Sequence, residues 1–287
     1  MKIDLHSHST FSDGTDSVPR LLRRAQRAGL DAVAVTDHDT LASMAQVSAM
    51  GRRLGIKTLA GLEMSTHLVI DRRRRSLHLL AYGVRPDDSS LQQALTDQQL
   101  ARRQRIPQLV ERLQALEIDL TLDQVLSQAS PGQTLGRPHV ADAMVQLGLV
   151  ANRDAAFTGW LRDGGPAWVD HPTLTTNDAI ALVNRAGGVA VLAHPWGRGN
   201  EQWLTSGRLS DLASQAGLFG LEVDHVEHDA RQRRRLRALA KQLGLVATGG
   251  SDYHGRGKSH NPLGAWTTRS SAWRAIHQAV RQRGGRL

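Results

Sequence analysis

The order of strand-like and helical segments constrains the fold of this 287-residue chain more than any other feature. Short β-branched or apolar runs alternate with helical stretches from residue 2 to residue 81, and the alternation resumes after residue 168. Between residues 89 and 163 only helical periodicity remains. Because strand–helix alternation is typical of parallel α/β folds, the pattern predicts a (β/α) barrel with a helical insertion. A doubly wound sheet would show a similar order, but no glycine-rich phosphate-binding motif follows the first predicted strand.

The helical stretch sets the predicted domain organisation. We expect a barrel formed by residues 1–100 and 165–287 and a helical insertion domain at residues 101–164. Strands are predicted at residues 2–5, 32–35, 57–62, 68–70, 77–81, 189–193, 221–223 and 245–248. The basic run Arg72–Arg75 is predicted to form the solvated tip of a hairpin, and Asp39 is expected to cap the helix that begins near Leu41.

Composition excludes several classes of site and partner. The chain has no cysteine, which rules out disulfide scaffolds, thiolate metal sites and cysteine nucleophiles. It carries a net charge of +9, which favours anionic partners, but its aromatic fraction of 4% argues against a large base-stacking surface. A charged N-terminus and the lack of a long apolar run predict a cytoplasmic protein without a membrane segment, and nothing implies a stable protein partner.

Histidines and carboxylates recur at the carboxyl ends of the predicted strands, where barrel enzymes build their active sites. These residues are His6, His8, Asp37, His38, Glu63, His194, Asp252 and His254, with His78 in the hairpin. Side chains two residues apart on an extended segment point to the same face, so His6 and His8 offer two ligands to one pocket, and Asp252 and His254 do the same.

A metal centre is the interpretation that explains this coincidence. Imidazole and carboxylate without sulfur suit zinc, manganese or iron(II), and the number of candidate ligands predicts two or three ions. A single His-x-His pair arises easily by chance, but its recurrence with acidic residues at successive strand ends does not. The remaining histidines are expected to be surface or structural: His67, His171, His225, His228, His260 and His277.

The motifs at these positions resemble those of the polymerase and histidinol phosphatase (PHP) family of phosphoesterases. They are Asp4-Leu5-His6-Ser7-His8, Ser12-Asp13-Gly14, Thr36-Asp37-His38-Asp39, Gly61-Leu62-Glu63, His78, Ala193-His194-Pro195 and Gly250-Ser251-Asp252-Tyr253-His254. Their order extends the resemblance over essentially the whole chain. The helical segment with Gly136-Arg137-Pro138-His139 further resembles the branch that contains nucleoside 3′,5′-bisphosphate phosphatases and a 5′–3′ exoribonuclease of short RNAs.

The resemblance implies a distorted (β/α)7 barrel that holds two or three divalent ions, Mn²⁺, Zn²⁺ or Fe²⁺. It assigns the ligands by position: His6, His8, Glu63 and Asp252 to a first ion, Glu63, His78 and His194 to a second, and Asp13, His38 and His254 to a third. Asp37 would orient its neighbours from behind the ligands. Some family members have histidine where this chain has Asp13.

Three further residues are candidates for substrate binding. Arg137 resembles a family position that faces the metals across the cleft. Arg198 resembles the arginine of a His-Pro-Gly-Arg motif, although Trp196 adds one residue before it here. His139 is either a substrate contact or a residue of a helix turn.

The activity that the resemblance implies is hydrolysis of nucleotide phosphate esters by a metal-activated hydroxide. Asp13 or His254 would assist the departing alkoxide. The expected substrate is a nucleoside 3′,5′-bisphosphate or a short 5′-phosphorylated oligoribonucleotide. Two alternatives stay open: a histidinol-phosphate-type phosphomonoesterase, which the helical insertion disfavours, and a nucleic-acid-associated module with a vestigial metal site, which should have lost ligands.

Overall fold

The protein, described here by a computed structural model for residues 1–130 and 133–287, is built around one mixed sheet. The strands are β1 (Ile3–Asp4), β2 (Ala32–Val35), β3 (Lys57–Ile70), β4 (Arg73–Tyr82), β5 (Leu174–Thr175), β6 (Val189–Leu192), β7 (Gly220–Asp224) and β8 (Val246–Gly249). They are hydrogen-bonded in the order β1-β2-β3-β4-β6-β7-β8, and β5 pairs with β3.

The sheet curves into a nearly closed barrel. The amide of Leu5 donates to the Gly249 carbonyl at 3.4 Å, and the amide of His8 donates to the Tyr253 carbonyl at 2.8 Å, so the chain just after β1 meets β8. The barrel is distorted because β4 runs antiparallel to both β3 and β6 while the other ladders are parallel. The predicted α/β distorted barrel is confirmed.

Helices cover the outside of the sheet and form the insertion. They are α1 (Val18–Arg27), α2 (Met44–Leu54), α3 (Ser89–Gln114), α4 (Leu122–Leu126), α5 (Arg137–Gln146), α6 (Arg153–Ala156), α7 (Thr176–Arg185), α8 (Ser206–Ser214), α9 (Ala230–Gln242) and α10 (Ser270–Gln282). In α1, Val18, Leu21, Leu22 and Ala25 recur at helical spacing and are fully buried in a core shared with β2.

The long helix α3 connects two hydrophobic cores. Leu91 and Leu95 in its first half pack into the main core of the barrel, whereas Ile106 and Leu109 in its second half belong to a separate core with α4, α5 and α6. Pro107 is accommodated inside the helix. The division at residues 101 and 164 stays a prediction, and its first boundary falls within this continuous helix.

One local prediction was wrong, and a second needs a detail added. Asp39 does not cap a helix: α2 begins at Met44, and the Asp39 carboxylate accepts hydrogen bonds from Ser65 and Gln98 instead. The hairpin turn is only Asp71 and Arg72, both with positive φ, because Ile70 pairs with Arg73. Arg72 in the turn and Arg73 and Arg74 at the start of β4 are exposed, which agrees with the predicted solvated tip, whereas Arg75 is half-buried.

Candidate metal centre

The first group of ligands lies just beyond the ends of β1 and β8 and in the middle of β3. His6 Nε2 and His8 Nε2 are 3.1 Å apart, and they lie 3.2 and 3.1 Å from Glu63 Oε2. Asp252 Oδ1 is 3.5 Å from both imidazole nitrogens. All four side chains are buried, and their ligand atoms lie within 4.8 Å of one another. Four oxygen and nitrogen donors at this spacing can surround one divalent ion.

The second oxygen of Glu63 faces a different pair of histidines. Glu63 Oε1 lies 2.9 Å from His78 Nδ1 and 3.2 Å from His194 Nε2. His78 reaches this site because β4 runs antiparallel to β3, which places His78, in the middle of β4, opposite Ser65 near the middle of β3. Glu63 therefore lies between two groups of donors and would be shared by two ions if each group held one.

A third group of donors lies around Asp13. Its Oδ1 lies 3.2 Å from His254 Nε2, and its Oδ2 lies 3.7 Å from His38 Nε2. His8 Nδ1 is also 3.7 Å from Asp13 Oδ1, so both nitrogens of His8 face candidate sites. The structure thus brings all the proposed ligands into one connected cluster, which we call the ligand cluster: His6, His8, Asp13, His38, Glu63, His78, His194, Asp252 and His254.

Positive charge in and beside the ligand cluster keeps the carboxylates of Glu63 and Asp252 ionised. Burial raises the pKa of Glu63, but His6 and His38 outweigh that effect and hold this pKa well below the usual range. Burial likewise raises the pKa of Asp252, and Lys258 holds it well below the usual range. Burial lowers the pKa of His8, yet Asp252 and Glu63 raise it to about 9. Ionised oxygens are ready to bind a cation, which would displace the proton from His8.

The residues present fit divalent metal ions. Asp252 Oδ1 and His38 Nδ1 are buried and form no hydrogen bond of good geometry within residues 1–130 and 133–287. Buried polar atoms are normally paired, so unpaired ones that face a cluster of donors indicate a missing partner. Imidazole nitrogen and carboxylate oxygen are donors that Zn²⁺, Mn²⁺ and Fe²⁺ accept.

Comparison with known proteins identifies the family. The PHP domain family matches residues 4–120. A 3′,5′-nucleoside bisphosphate phosphatase from Chromobacterium violaceum is 30% identical over 262 residues, which are 91% of this chain and 90% of that protein. The chain belongs to the PHP family.

Other relatives of this PHP protein are also phosphate-ester hydrolases. A phosphoribosyl 1,2-cyclic phosphate 1,2-diphosphodiesterase from Eggerthella lenta is 33% identical over 88% of this chain and 94% of that protein. A 5′-3′ exoribonuclease from Haemophilus influenzae is 31% identical over 88% and 90%. This PHP protein is therefore a phosphoesterase, and the expected family is confirmed.

Solved structures agree in fold. A chain from Bifidobacterium adolescentis assigned as a metal-dependent phosphoesterase superposes with a TM-score of 0.88, at 35% identity over 96% of both chains. An amidohydrolase from Chromobacterium violaceum, with bound sulfate and no metal, superposes with a TM-score of 0.86 at 28% identity over 97% of both. Helices long and apolar enough to cross a membrane are absent from the described part of the PHP protein.

Asp37 holds the loop that carries Asp13. Its carboxylate accepts three hydrogen bonds of 2.8 Å, two from Ser9 and one from the Ser12 hydroxyl. The Ser12 hydroxyl in turn lies 3.4 Å from Asp13 Oδ1. Asp37 therefore acts on the ligand cluster through this loop, in the orienting position that the resemblance implied.

The sequence analysis missed two residues, Glu222 in the middle of β7 and His225 just after it. Glu222 Oε1 is 3.0 Å from His6 Nδ1, and Glu222 Oε2 accepts a 2.9 Å hydrogen bond from the amide of His194. His225, expected to be surface or structural, is fully buried and lies 3.5 Å from Asp252 Oδ2. His225 directly follows β7, so the strand-end pattern would have found it, whereas Glu222 lies within the strand and that pattern would not have selected it.

Backbone strain is concentrated at the site. His194 and Asp252 have φ values of 28° and 51°, in the left-handed region that residues other than glycine, asparagine and aspartate rarely adopt. Such conformations persist where the surrounding structure holds them, and they cluster at functional sites. Arg198, just beyond His194, also has a positive φ of 55°.

The predicted substrate-binding residues have different environments. Arg137 and Arg198 line a cleft of about 960 Å³ that also contains much of the ligand cluster. Arg137 Nη1 donates to Asp163 at 2.6 Å, and Arg198 Nε lies 3.5 Å from Glu227.

His139 is buried, and its Nδ1 accepts from the Gly136 amide at 3.1 Å, so it closes the first turn of α5. Of the two alternatives for His139, this contact agrees with a residue of a helix turn rather than with a substrate contact.

Proposed function

We propose that this phosphoesterase hydrolyses nucleotides with two phosphate groups, a nucleoside 3′,5′-bisphosphate or a short 5′-phosphorylated oligoribonucleotide. One observation carries the proposal: a single cleft is lined both by members of the ligand cluster and by arginines that include Arg137 and Arg198. A metal centre alone selects poorly among phosphate esters, whereas a second cationic group in the same cleft selects substrates with a second anionic group.

The relatives support this substrate class. The phosphatase from C. violaceum is named for nucleoside 3′,5′-bisphosphates, and the enzyme from H. influenzae is named a 5′-3′ exoribonuclease. The E. lenta relative is named for a cyclic phosphate of phosphoribose, which also carries two phosphate groups on one sugar. Two phosphate groups are thus a feature that the substrates named for the C. violaceum and E. lenta relatives share with the proposed ones.

The ligand cluster would hold two or three divalent ions, with Mn²⁺, Zn²⁺ and Fe²⁺ as candidates. Glu63 would be shared between the group that contains His6 and the group that contains His78. Divalent ions in such a site lower the pKa of water and neutralise charge on a phosphate ester. Glu222 and Asp37 would keep the ligand orientation fixed from behind.

Side chains of the cleft would manage the proton and the substrate charge. Asp13 and His254 are 3.2 Å apart and both line the cleft, so with two ions held by the other ligands this pair can share a proton beside the leaving alkoxide; with a third ion bound, the pair would be ligands instead. Arg137 and Arg198 would face the remaining phosphate, since a guanidinium binds two phosphate oxygens in parallel. The monoesterase alternative differs in these groups, because a simple phosphomonoesterase does not need the second cationic region.

A substrate screen tests the proposal. Purified protein reconstituted with each candidate metal should release phosphate from adenosine 3′,5′-bisphosphate or from a short 5′-phosphorylated RNA faster than from histidinol phosphate or p-nitrophenyl phosphate. Comparable kcat/KM values for the two-phosphate substrates and the monoesters would contradict the proposed selectivity. Hydrolysis of none of them by the metal-loaded protein would support the vestigial module instead.

A further inference from the structure

The strongest unexplained feature outside the ligand cluster is a buried arginine in the insertion. Arg105 is only 6% exposed, yet it lines the cleft. Its Nε and Nη2 are buried and have no hydrogen-bond partner in the described residues. A buried guanidinium whose donors are unpaired is costly to the folded state, so it is rarely kept for stability.

The neighbouring arginines differ from Arg105 because each has a carboxylate. Arg102 Nε donates to Asp39 at 2.5 Å, and Arg137 Nη1 donates to Asp163 at 2.6 Å. Within residues 1–130 and 133–287, Arg105 has no carboxylate at salt-bridge distance. Burial and the nearby charges of Arg137 and Arg102 lower the pKa of Arg105 to about 9. This part of the cleft therefore carries positive charge that lacks a counterion.

The position of the Arg105 guanidinium is fixed by an aromatic ring. Its central carbon lies 4.3 Å from the centre of the Trp168 ring, and the central carbon of Arg137 lies 4.8 Å from the same centre. Cation–π contact at this distance holds the planar group in place without using its hydrogen-bond donors. Arg105 is thus oriented, and its donors remain available.

A second unpaired donor group lies in the same region. His171 lines the cleft, and its buried Nδ1 has no hydrogen-bond partner in the described part of the chain. Burial and the charges of Arg105 and Arg102 lower the pKa of His171 to about 3, so its ring is neutral and can donate one hydrogen bond. We refer to Arg105, Trp168 and His171 as the Arg105 site.

We propose that the Arg105 site binds the second phosphate group of the substrate. The unpaired Nε and Nη2 occupy one edge of the guanidinium, and two parallel donors on one edge match two oxygens of a phosphate. Arg137, which already uses Nη1 for Asp163, flanks this group and lies over the same ring. The inference rests on the proposed function and assigns the main phosphate contact to Arg105 rather than to Arg137.

Substitution of Arg105, with an exposed arginine of the same helix as control, tests the assignment. Arg105→Met keeps an apolar stem against Trp168, and Arg103→Met removes the same charge from the exposed face of α3. We expect Arg105→Met to lower kcat/KM for adenosine 3′,5′-bisphosphate about 10- to 100-fold more than for p-nitrophenyl phosphate. Arg103→Met should leave both values as in the wild type. Arg105→Lys should recover only part of the loss, because lysine lacks the planar fork.

The melting temperature separates a binding role from a structural one. Loss of an unpaired buried charge should leave the melting temperature of ligand-free Arg105→Met equal to or above that of the wild type. An equal loss of kcat/KM on both substrates, or a melting temperature well below that of the wild type, would overturn the assignment.

Sulfate binding distinguishes this inference from the proposed function. Sulfate should raise the melting temperature of metal-depleted wild type and of Arg103→Met, and raise that of Arg105→Met much less. If the metal-loaded wild type fails to hydrolyse adenosine 3′,5′-bisphosphate while sulfate binding depends on Arg105, the proposed function falls and the anion site stands. If sulfate stabilises Arg105→Met as much as the wild type, the Arg105 site is refuted whatever the activity.

Discussion

Glu222 illustrates, at the scale of one residue, how the fold prepares the ligand cluster. It contacts His6 Nδ1 and the His194 amide, so it fixes one ring and the backbone of another proposed ligand. Replacement by glutamine keeps the shape but removes the charge that orients His6. We expect Glu222→Gln to weaken metal affinity by about 10- to 100-fold, the usual effect of such supporting residues.

Competition with a chelator measures this change directly. Glu111→Gln serves as the matched control because Glu111 lies on the exposed face of α3. Wild-type metal affinity in Glu222→Gln, with a fully folded variant, would show that Glu222 does not support the ligands.

Asp39 connects two elements, the end of β2 and the first part of α3. Its carboxylate accepts from Arg102 Nε at 2.5 Å and from Gln98 Nε2 at 2.8 Å, both on α3, and from the Ser65 amide at 2.7 Å. Asparagine tolerates the positive φ of this position, so Asp39→Asn removes the charge without adding backbone strain. We expect it to lower the free energy of unfolding by about 3–5 kcal/mol, because Arg102 loses its buried partner.

Chemical denaturation tests this expectation. Asp97→Asn is the control, since Asp97 lies exposed on the same helix. A loss below about 1 kcal/mol in Asp39→Asn, as for an exposed ion pair, would show that this contact does not fasten α3 to the barrel.

The β3–β4 hairpin places Arg73, Arg74 and Arg75 along the cleft, so we expect members of the basic run to differ in their effect on RNA cleavage. Arg72 lies in the turn, whereas Arg74 donates to Asp170 at 3.1 Å and to the His171 carbonyl at 3.2 Å. We expect Arg74→Ser to slow cleavage of short RNA and to flatten its dependence on salt, and Arg72→Ser to change neither. Kinetics over a range of salt concentrations measure both effects. Equal behaviour of the two variants would show that Arg74, like Arg72, acts only as a solvated surface charge.

At the scale of the whole molecule, bound metal should stabilise the fold. The ligand cluster joins β1, β3, β4 and β8 with the loop that follows β6. Removal of metal by a chelator should therefore lower the melting temperature, by the equivalent of about 4 kcal/mol if the ion is present at 1,000 times its Kd. Calorimetry with and without added metal measures this shift. A melting temperature unaffected by chelator would mean that the ions contribute nothing to stability.

The sequence predicted the barrel and selected candidate ligands that the structure groups together, because both follow rules of local pattern. Strands are marked by apolar runs such as Ala32–Val35, and polar residues directly after them lie at one rim. The prediction that Asp39 caps a helix was wrong because an aspartate shortly before a helical stretch matches the capping pattern. Its actual hydrogen-bond partners lie far away in the sequence, on other elements. Arg105 could not be predicted, since helical periodicity places it beside Ile106 on the buried face and only tertiary packing aims it into the cleft.

The central claim is that the ligand cluster binds the metal on which hydrolysis depends, and Glu63 tests it most directly. Glu63 Oε1 and Oε2 face separate groups of histidines, so its loss should disrupt both. Metal content and phosphate release from adenosine 3′,5′-bisphosphate should be measured on the same preparations of wild type, Glu63→Gln and the control Glu111→Gln. We predict that Glu63→Gln loses bound metal and hydrolysis together while its circular dichroism stays that of the wild type. Wild-type metal content in Glu63→Gln, or full hydrolysis after its metal is gone, would contradict the account.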